Sequence, residues 1–128
     1  MNKKFEIKGV ELNTLKGHTS DVFCLAVLPD NKLESGSDDK TIKIWDTEKG
    51  VELNTLEGHA SFVFCLAVLP DNKLASGSGD FTIKIWDIIK GIKLKTLEGH
   101  TSYVYCLAVL PDNKLASGSC DKTIKLWK

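Results

Sequence analysis

The chain has 128 residues, is 42% hydrophobic, and balances 17 Lys and Arg against 17 Asp and Glu for a formal net charge of zero. That length suits one ordinary domain, and the apolar content is that of a globular rather than a disordered chain. The neutral balance, with no basic run of five or more residues, speaks against a nucleic-acid partner, and no apolar stretch approaches the roughly 18 residues of a membrane helix. Residues 1–8 form a polar leader whose lysines are followed by no apolar core, so no secretory signal is expected and the default location is the cytosol.

From residue 9 the chain is periodic. His18, His59 and His100 are the only histidines, Trp45, Trp86 and Trp127 the only tryptophans, and both sets recur every 41 residues, as do Pro29, Pro70 and Pro111. The repeats run over 9–49, 50–90 and 91–128. Within each, the pattern reads as strands, with no helical period. V-E-L-N-T-L at Val10 to Leu15 predicts a first strand, and a Gly-His pair follows it at Gly17 and His18. An apolar run from Val22 to Pro29 predicts the next strand, and P-D-N-K supplies a tight turn. Leu33 to Ser37 forms a further strand, a polar corner ends at Asp39, and T-I-K-I-W alternates with period two up to Trp45. Gly50 then turns the chain into the next V-E-L-N-T-L, so each period carries four short antiparallel strands.

The segments L-x-G-H, S-G-S-x-D and T-I-K-I-W-D sit at matched offsets, the last reading T-I-K-L-W-K in the third copy, and on them the chain resembles the WD-repeat family of β-propellers over residues 9–128. The resemblance implies an all-β fold of propeller blades, each of four antiparallel strands, three blades per chain. The last copy departs from the pattern with Lys128 where Asp46 and Asp87 stand in the others, and the first with Glu34 in place of Ala75 and Ala116. Neither departure is expected to threaten the fold.

Each repeat carries a Ser, a His and an Asp, the makings of a hydrolytic triad. A triad needs a strained, exposed nucleophile and an oxyanion site, and there is no G-x-S-x-G elbow. The same constellation three times over fits structure better than catalysis. The resemblance implies hydrogen-bonded tetrads: His18, Ser35, Asp39 and Trp45; His59, Ser76, Asp80 and Trp86; His100, Ser117, Asp121 and Trp127. No cofactor motif is present, neither G-x-G-x-x-G after a strand nor a phosphate-binding loop. Cys24, Cys65 and Cys106 recur with the period, form no C-x-x-C pair, and are expected as small buried strand residues; Cys120 has no counterpart and reads as a free thiol.

The family's blades are offset from its sequence repeats. Blade one is expected over 20–57 and blade two over 61–98, while the third starts near 102 without an outer strand and Val10 to Leu15 is an outer strand without a blade. Propellers typically close with about four to eight blades, so three are expected to close a ring only by homo-oligomerisation, residues 10–15 completing the last blade of a neighbouring chain. A homotrimer would give nine blades and a homodimer six. Bulky Phe62, Phe64, Tyr103 and Tyr105 at the start of the innermost strands favour the wider ring.

Differences between copies cluster at Asp21, Phe62 and Tyr103, at Phe23, Phe64 and Tyr105, at Asp38, Gly79 and Cys120, and at Lys40, Phe81 and Lys122. In the family these loops lie on the top face around the central channel, which implies a binding surface for a protein or peptide there. The function expected is a non-catalytic, self-assembling scaffold for protein–protein interaction. The near-identity of the copies keeps open a purely structural assembly, designed or recently amplified, with no evolved partner.

Overall fold

The computed structural model describes residues 4–128; the first three residues of the 1–8 leader lie outside them. Among the described residues eleven strands form three separate antiparallel sheets. Blade one contains β1 (Val22–Leu28), β2 (Lys32–Ser37), β3 (Ile42–Asp46) and β4 (Val51–Leu56) in chain order. Blade two repeats this with β5 (Val63–Leu69), β6 (Lys73–Ser78), β7 (Ile83–Asp87) and β8 (Ile92–Leu97), and blade three has β9 (Val104–Leu110), β10 (Lys114–Ser119) and β11 (Ile124–Trp127). The all-β, blade-by-blade architecture expected from the sequence is therefore present. The β1–β2 corner turns through Asp30 and Asn31, both at positive φ (62° and 58°), which short-side-chain polar residues tolerate best.

Val10 to Leu15 pairs with no strand among the described residues. Its Asn13 amide nevertheless crowds Gly50 as Asn54 in β4 crowds Gly91, so the segment lies against blade one as β4 lies against blade two.

Blades pack through their faces, and among the described residues no β-ladder crosses from one sheet to the next. Alternation along each strand decides which side chains enter these seams. The seam between blades one and two buries Ile42 and Leu56 against Val63, Leu74 and Trp86. The seam between blades two and three buries Cys65, Ala67, Ala75 and Ile83 against Val104 and Leu115. The thiols of Cys24 and Cys65 each reach the backbone carbonyl of the next blade's valine, Val63 and Val104, at 3.7 Å.

One expectation is corrected by these seams, and one departure from the repeat is placed in them. Cys65 is buried and Cys24 half-buried, but Cys106 is exposed, because no blade among the described residues covers that face of blade three. Glu34 leaves the four strands of blade one intact, as expected, but it stands in the interior. It pairs across the sheet with Ala26 and Ile44, is fully buried (0% exposed), and neither carboxyl oxygen has a hydrogen-bond partner among the described residues. Burial pushes its acid up to about 8, so it is carried largely as the neutral form at pH 7.

Lys40, Phe81 and Lys122 hold φ near +75° at the second corner of each blade, a conformation that costs a β-carbon-bearing residue energy. At exposed Lys40 the strain has no evident compensating contact; Lys40→Gly is expected to stabilise the chain by about 0.5–1 kcal/mol, read as a raised urea midpoint at unchanged slope.

Candidate functional site

The loop after each Gly-His pair and the corner after each second strand carry the residues that differ between copies, and backbone hydrogen bonds join them. The amide of Asp38 donates to the carbonyl of Asp21 at 2.8 Å, Gly79 to Phe62 at 2.9 Å and Cys120 to Tyr103 at 2.9 Å. Both variable loops thus fall on one end of the blades. Under them lie the tetrads. The structure brings His18, Ser35, Asp39 and Trp45 together, and likewise the other two sets. In blade two His59 Nδ1 is 2.7 Å from Asp80 Oδ2, His59 Nε2 is 2.6 Å from Ser76 Oγ, and Trp86 Nε1 donates to Ser76 Oγ at 2.8 Å. Blades one and three repeat these distances within 0.1 Å.

The bond directions follow from the donor inventory. The Trp N–H can only donate, so the Ser hydroxyl accepts it and turns its own proton to His Nε2. His Nδ1–H is then left to donate to the carboxylate, an assignment made from the network. The chain of donors runs Trp to Ser to His to Asp and ends on an ionised group. Burial on its own would raise the Asp80 carboxyl; bonds from the His59 ring, the Thr82 hydroxyl and the Ala60 amide outweigh it and hold Asp80 well below its usual range. Asp39 is held low in the same way, against burial, by Thr41, His18 and the Thr19 amide, and Asp121 by Thr123 and then His100.

Sequence reading missed the threonines. Thr41, Thr82 and Thr123 each donate a hydroxyl to the same Asp at 2.5–2.6 Å and a backbone amide at 2.9 Å. The signal was D-x-T at a fixed offset, the spacing of an Asx turn.

As a catalytic arrangement the constellation is closed. The seryl residues Ser35, Ser76 and Ser117 are at most 2% exposed, and each oxygen is already occupied by a Trp N–H. No group of three or more His, Cys, Asp or Glu among the described residues has metal-binding geometry. No helix of the described residues is long and apolar enough to cross a membrane.

The aromatic residues of the variable loops and first strands form one continuous patch across all three blades. Phe23 lies 5.3 Å from Phe64, Phe64 lies 5.1 Å from Tyr105 and 5.7 Å from Tyr103, and Phe81 lies 6.1 Å from Tyr103, in tilted and edge-on contacts. Phe62 and Phe64 are half-buried, whereas Phe23, Phe81, Tyr103 and Tyr105 are exposed, so the patch is not merely core. Around it Asp21, Lys40, Cys120 and Lys122 are exposed and Asp38, bonded to Ser20, is half-buried.

Residues 9–46, 50–87 and 91–128 match the family described as WD domain, G-beta repeat. The chain is 60% identical over 37 residues to the probable E3 ubiquitin ligase complex SCF subunit sconB of Emericella nidulans, a stretch covering 29% of this chain and 5% of that protein. The crystal structure of the WD40 β-propeller domain of Doa1 superposes with a TM-score of 0.83 at 37% identity, over 89% of this chain and 39% of that one. The chain thus spans well under half the length of these relatives. With three matched repeats, three propeller-like blades and a shared fold, this chain belongs to the WD-repeat family.

Proposed function

We propose that the chain is a non-catalytic scaffold for protein–protein interaction whose blades associate head to tail with further copies of itself. One observation carries the self-association. Val63 is fully buried where blade one covers it, while its counterpart Val22 is 51% exposed; Leu25 and Val27 beside it are 62% and 78% exposed. At the other end Cys106 is exposed where Cys65 is buried. The two uncovered faces therefore carry the same residues that meet in the internal seams, and each is complementary to the other. Such a joint is heterologous and favours a closed ring of whole chains, nine blades from three or six from two. Val10 to Leu15 would complete the neighbour's last blade by pairing along β11.

The interaction role rests on the partly exposed aromatic patch held on rigid, hydrogen-bonded blades. The protein similar over 37 residues is described as a probable subunit of an E3 ubiquitin ligase complex, in keeping with such a role. Near-identity of the repeats favours the second reading, a structural assembly without an evolved partner. The tetrads are assigned a structural role, and a cytoplasmic setting fits the free thiols.

Light scattering tests the assembly. A chain of 14.1 kDa is expected to run at about 42 kDa as a trimer or about 28 kDa as a dimer; a monomer at micromolar concentration overturns self-association. Saturable capture of a protein that is lost in Phe81→Ala/Tyr105→Ala separates the scaffold from the partnerless assembly.

A further inference from the structure

We infer that the seam between blades one and two is a pH-gated joint: Glu34, buried in it without a hydrogen-bond partner, keeps the seam closed as the neutral acid and parts it on ionising, while the seam between blades two and three stays closed.

The geometry places the carboxyl in the seam. Glu34 shares its strand face with Gly36, where an added β-carbon would lie 2.7 Å from Val63 of blade two. The same position in blade two is Ala75, fully buried in the apolar cluster of the following seam. A carboxyl group therefore stands in one seam where a methyl stands in the other. An unpartnered buried polar group already costs folding free energy, and an unpaired buried charge costs far more. Because no β-ladder crosses the seam, the two blades can separate there with every strand pair intact.

The groups that face Glu34 do not relieve the charge. From β1 the facing titratable group is Cys24, whose thiol burial itself pushes up to about 12. The side chains of β3 in the seam are Ile42 and Ile44, and those of blade two are Val63, Leu66, Leu74 and Trp86. Blade two's titratable groups on this side are bonded within their own blade: His59 to Asp80, and Lys84, on the strand face of Trp86, to the Thr96 hydroxyl at 3.1 Å. Neither His59 nor Lys84 bonds the carboxyl.

The sign follows from proton binding. The acid is raised from 4.5 to about 8 in the closed seam, so the closed form binds more protons between those values. Opening is thus increasingly favoured as pH rises through that window and levels off above it.

The chain contains its own reporters, since Cys24 lies in the first seam and Cys65 in the second. Alkylation of the intact 128-residue chain with iodoacetamide, quantified by mass spectrometry at each thiol, gives the Cys24-to-Cys65 rate ratio. Each thiol is labelled from an opened form in which burial no longer acts on it, so thiolate formation enters both rates alike and cancels in the ratio. An ionised Glu34 would on its own slow labelling of Cys24, so a rise reports opening. The ratio is expected to increase on the order of tenfold or more between about pH 6 and 9. It is expected to stay flat in Glu34→Gln, which keeps the shape without the titration, and in Glu34→Ala, which restores the residue of the other copies. A flat ratio in the parent, or an equal rise in Glu34→Gln, overturns the inference.

Discussion

His59→Ala is expected to lower the melting temperature by more than about 10 °C, the loss of about 3 kcal/mol or more from a domain of this size. His59 is 7% exposed and sits inside its tetrad, bonded to Asp80 on one side and to Ser76 on the other. Removing it leaves the Ser76 hydroxyl with a proton and no acceptor of good geometry, since the Lys84 carbonyl is 3.5 Å away. Asp80 keeps its bonds from Thr82 and Ala60 but loses its shortest nitrogen donor, at the end of a network whose members polarise one another. Asp80→Asn keeps the shape and removes the charge, and its expected loss is smaller. The pH response gives a second readout. A carboxylate held below its ordinary 3.8 contributes stability that is complete above that value and lost as pH falls toward its folded pKa. Thermal melting of His59→Ala followed by circular dichroism from pH 3 to 7 should therefore show a shallower acid dependence. Parent-like melting would mean that the tetrad adds nothing to stability.

The members of the tetrads were legible through the family resemblance, whose motifs are tied to local offsets that three copies repeat: a His after a Gly, a Ser inside a strand, an Asp at a corner, a Trp near a strand end. Strand order was legible for the same reason, since alternation and turn residues act over a few positions. What was not legible depends on a second blade. Alternation puts Glu34 and Ala75 on the same kind of face, but nothing local says that a neighbouring sheet covers it, so the buried acid passed as a harmless substitution. Cys106 shows the converse: its sequence context matches that of Cys65, and only the lack of a covering blade exposes it. Lys40, Phe81 and Lys122 carry no sign of their left-handed backbone, because the usual markers, Gly and Asn, are absent there and the D-x-T turn imposes the shape instead.

Gly77→Ala and Gly118→Ala form a matched pair that measures what a seam demands. A β-carbon at Gly77 would lie 2.5 Å from Cys65 Sγ and 2.7 and 3.2 Å from two atoms of the Val104 side chain. Val104 is fully buried and cannot retreat, so the blades must part or the strand must shift, and Gly77→Ala is expected to cost about 2–3 kcal/mol. At Gly118 the added carbon meets only Cys106 Sγ, at 2.6 Å. That thiol is exposed and can rotate away, so in a single chain the cost should stay near 1 kcal/mol or below. Urea unfolding of both variants gives the difference directly. Assembly changes the expectation for one of them. If blade three meets the first blade of another copy, Val22 arrives over Gly118 as Val104 lies over Gly77, and the second glycine becomes as necessary as the first. Gly118→Ala should then leave the isolated chain folded but shift its light-scattering mass toward 14.1 kDa, whereas Gly77→Ala should weaken the chain whether or not it assembles. Equal costs for the two glycines in the monomeric state would show that the clash with the thiol, and not the approach of a neighbouring blade, excludes a side chain at this position.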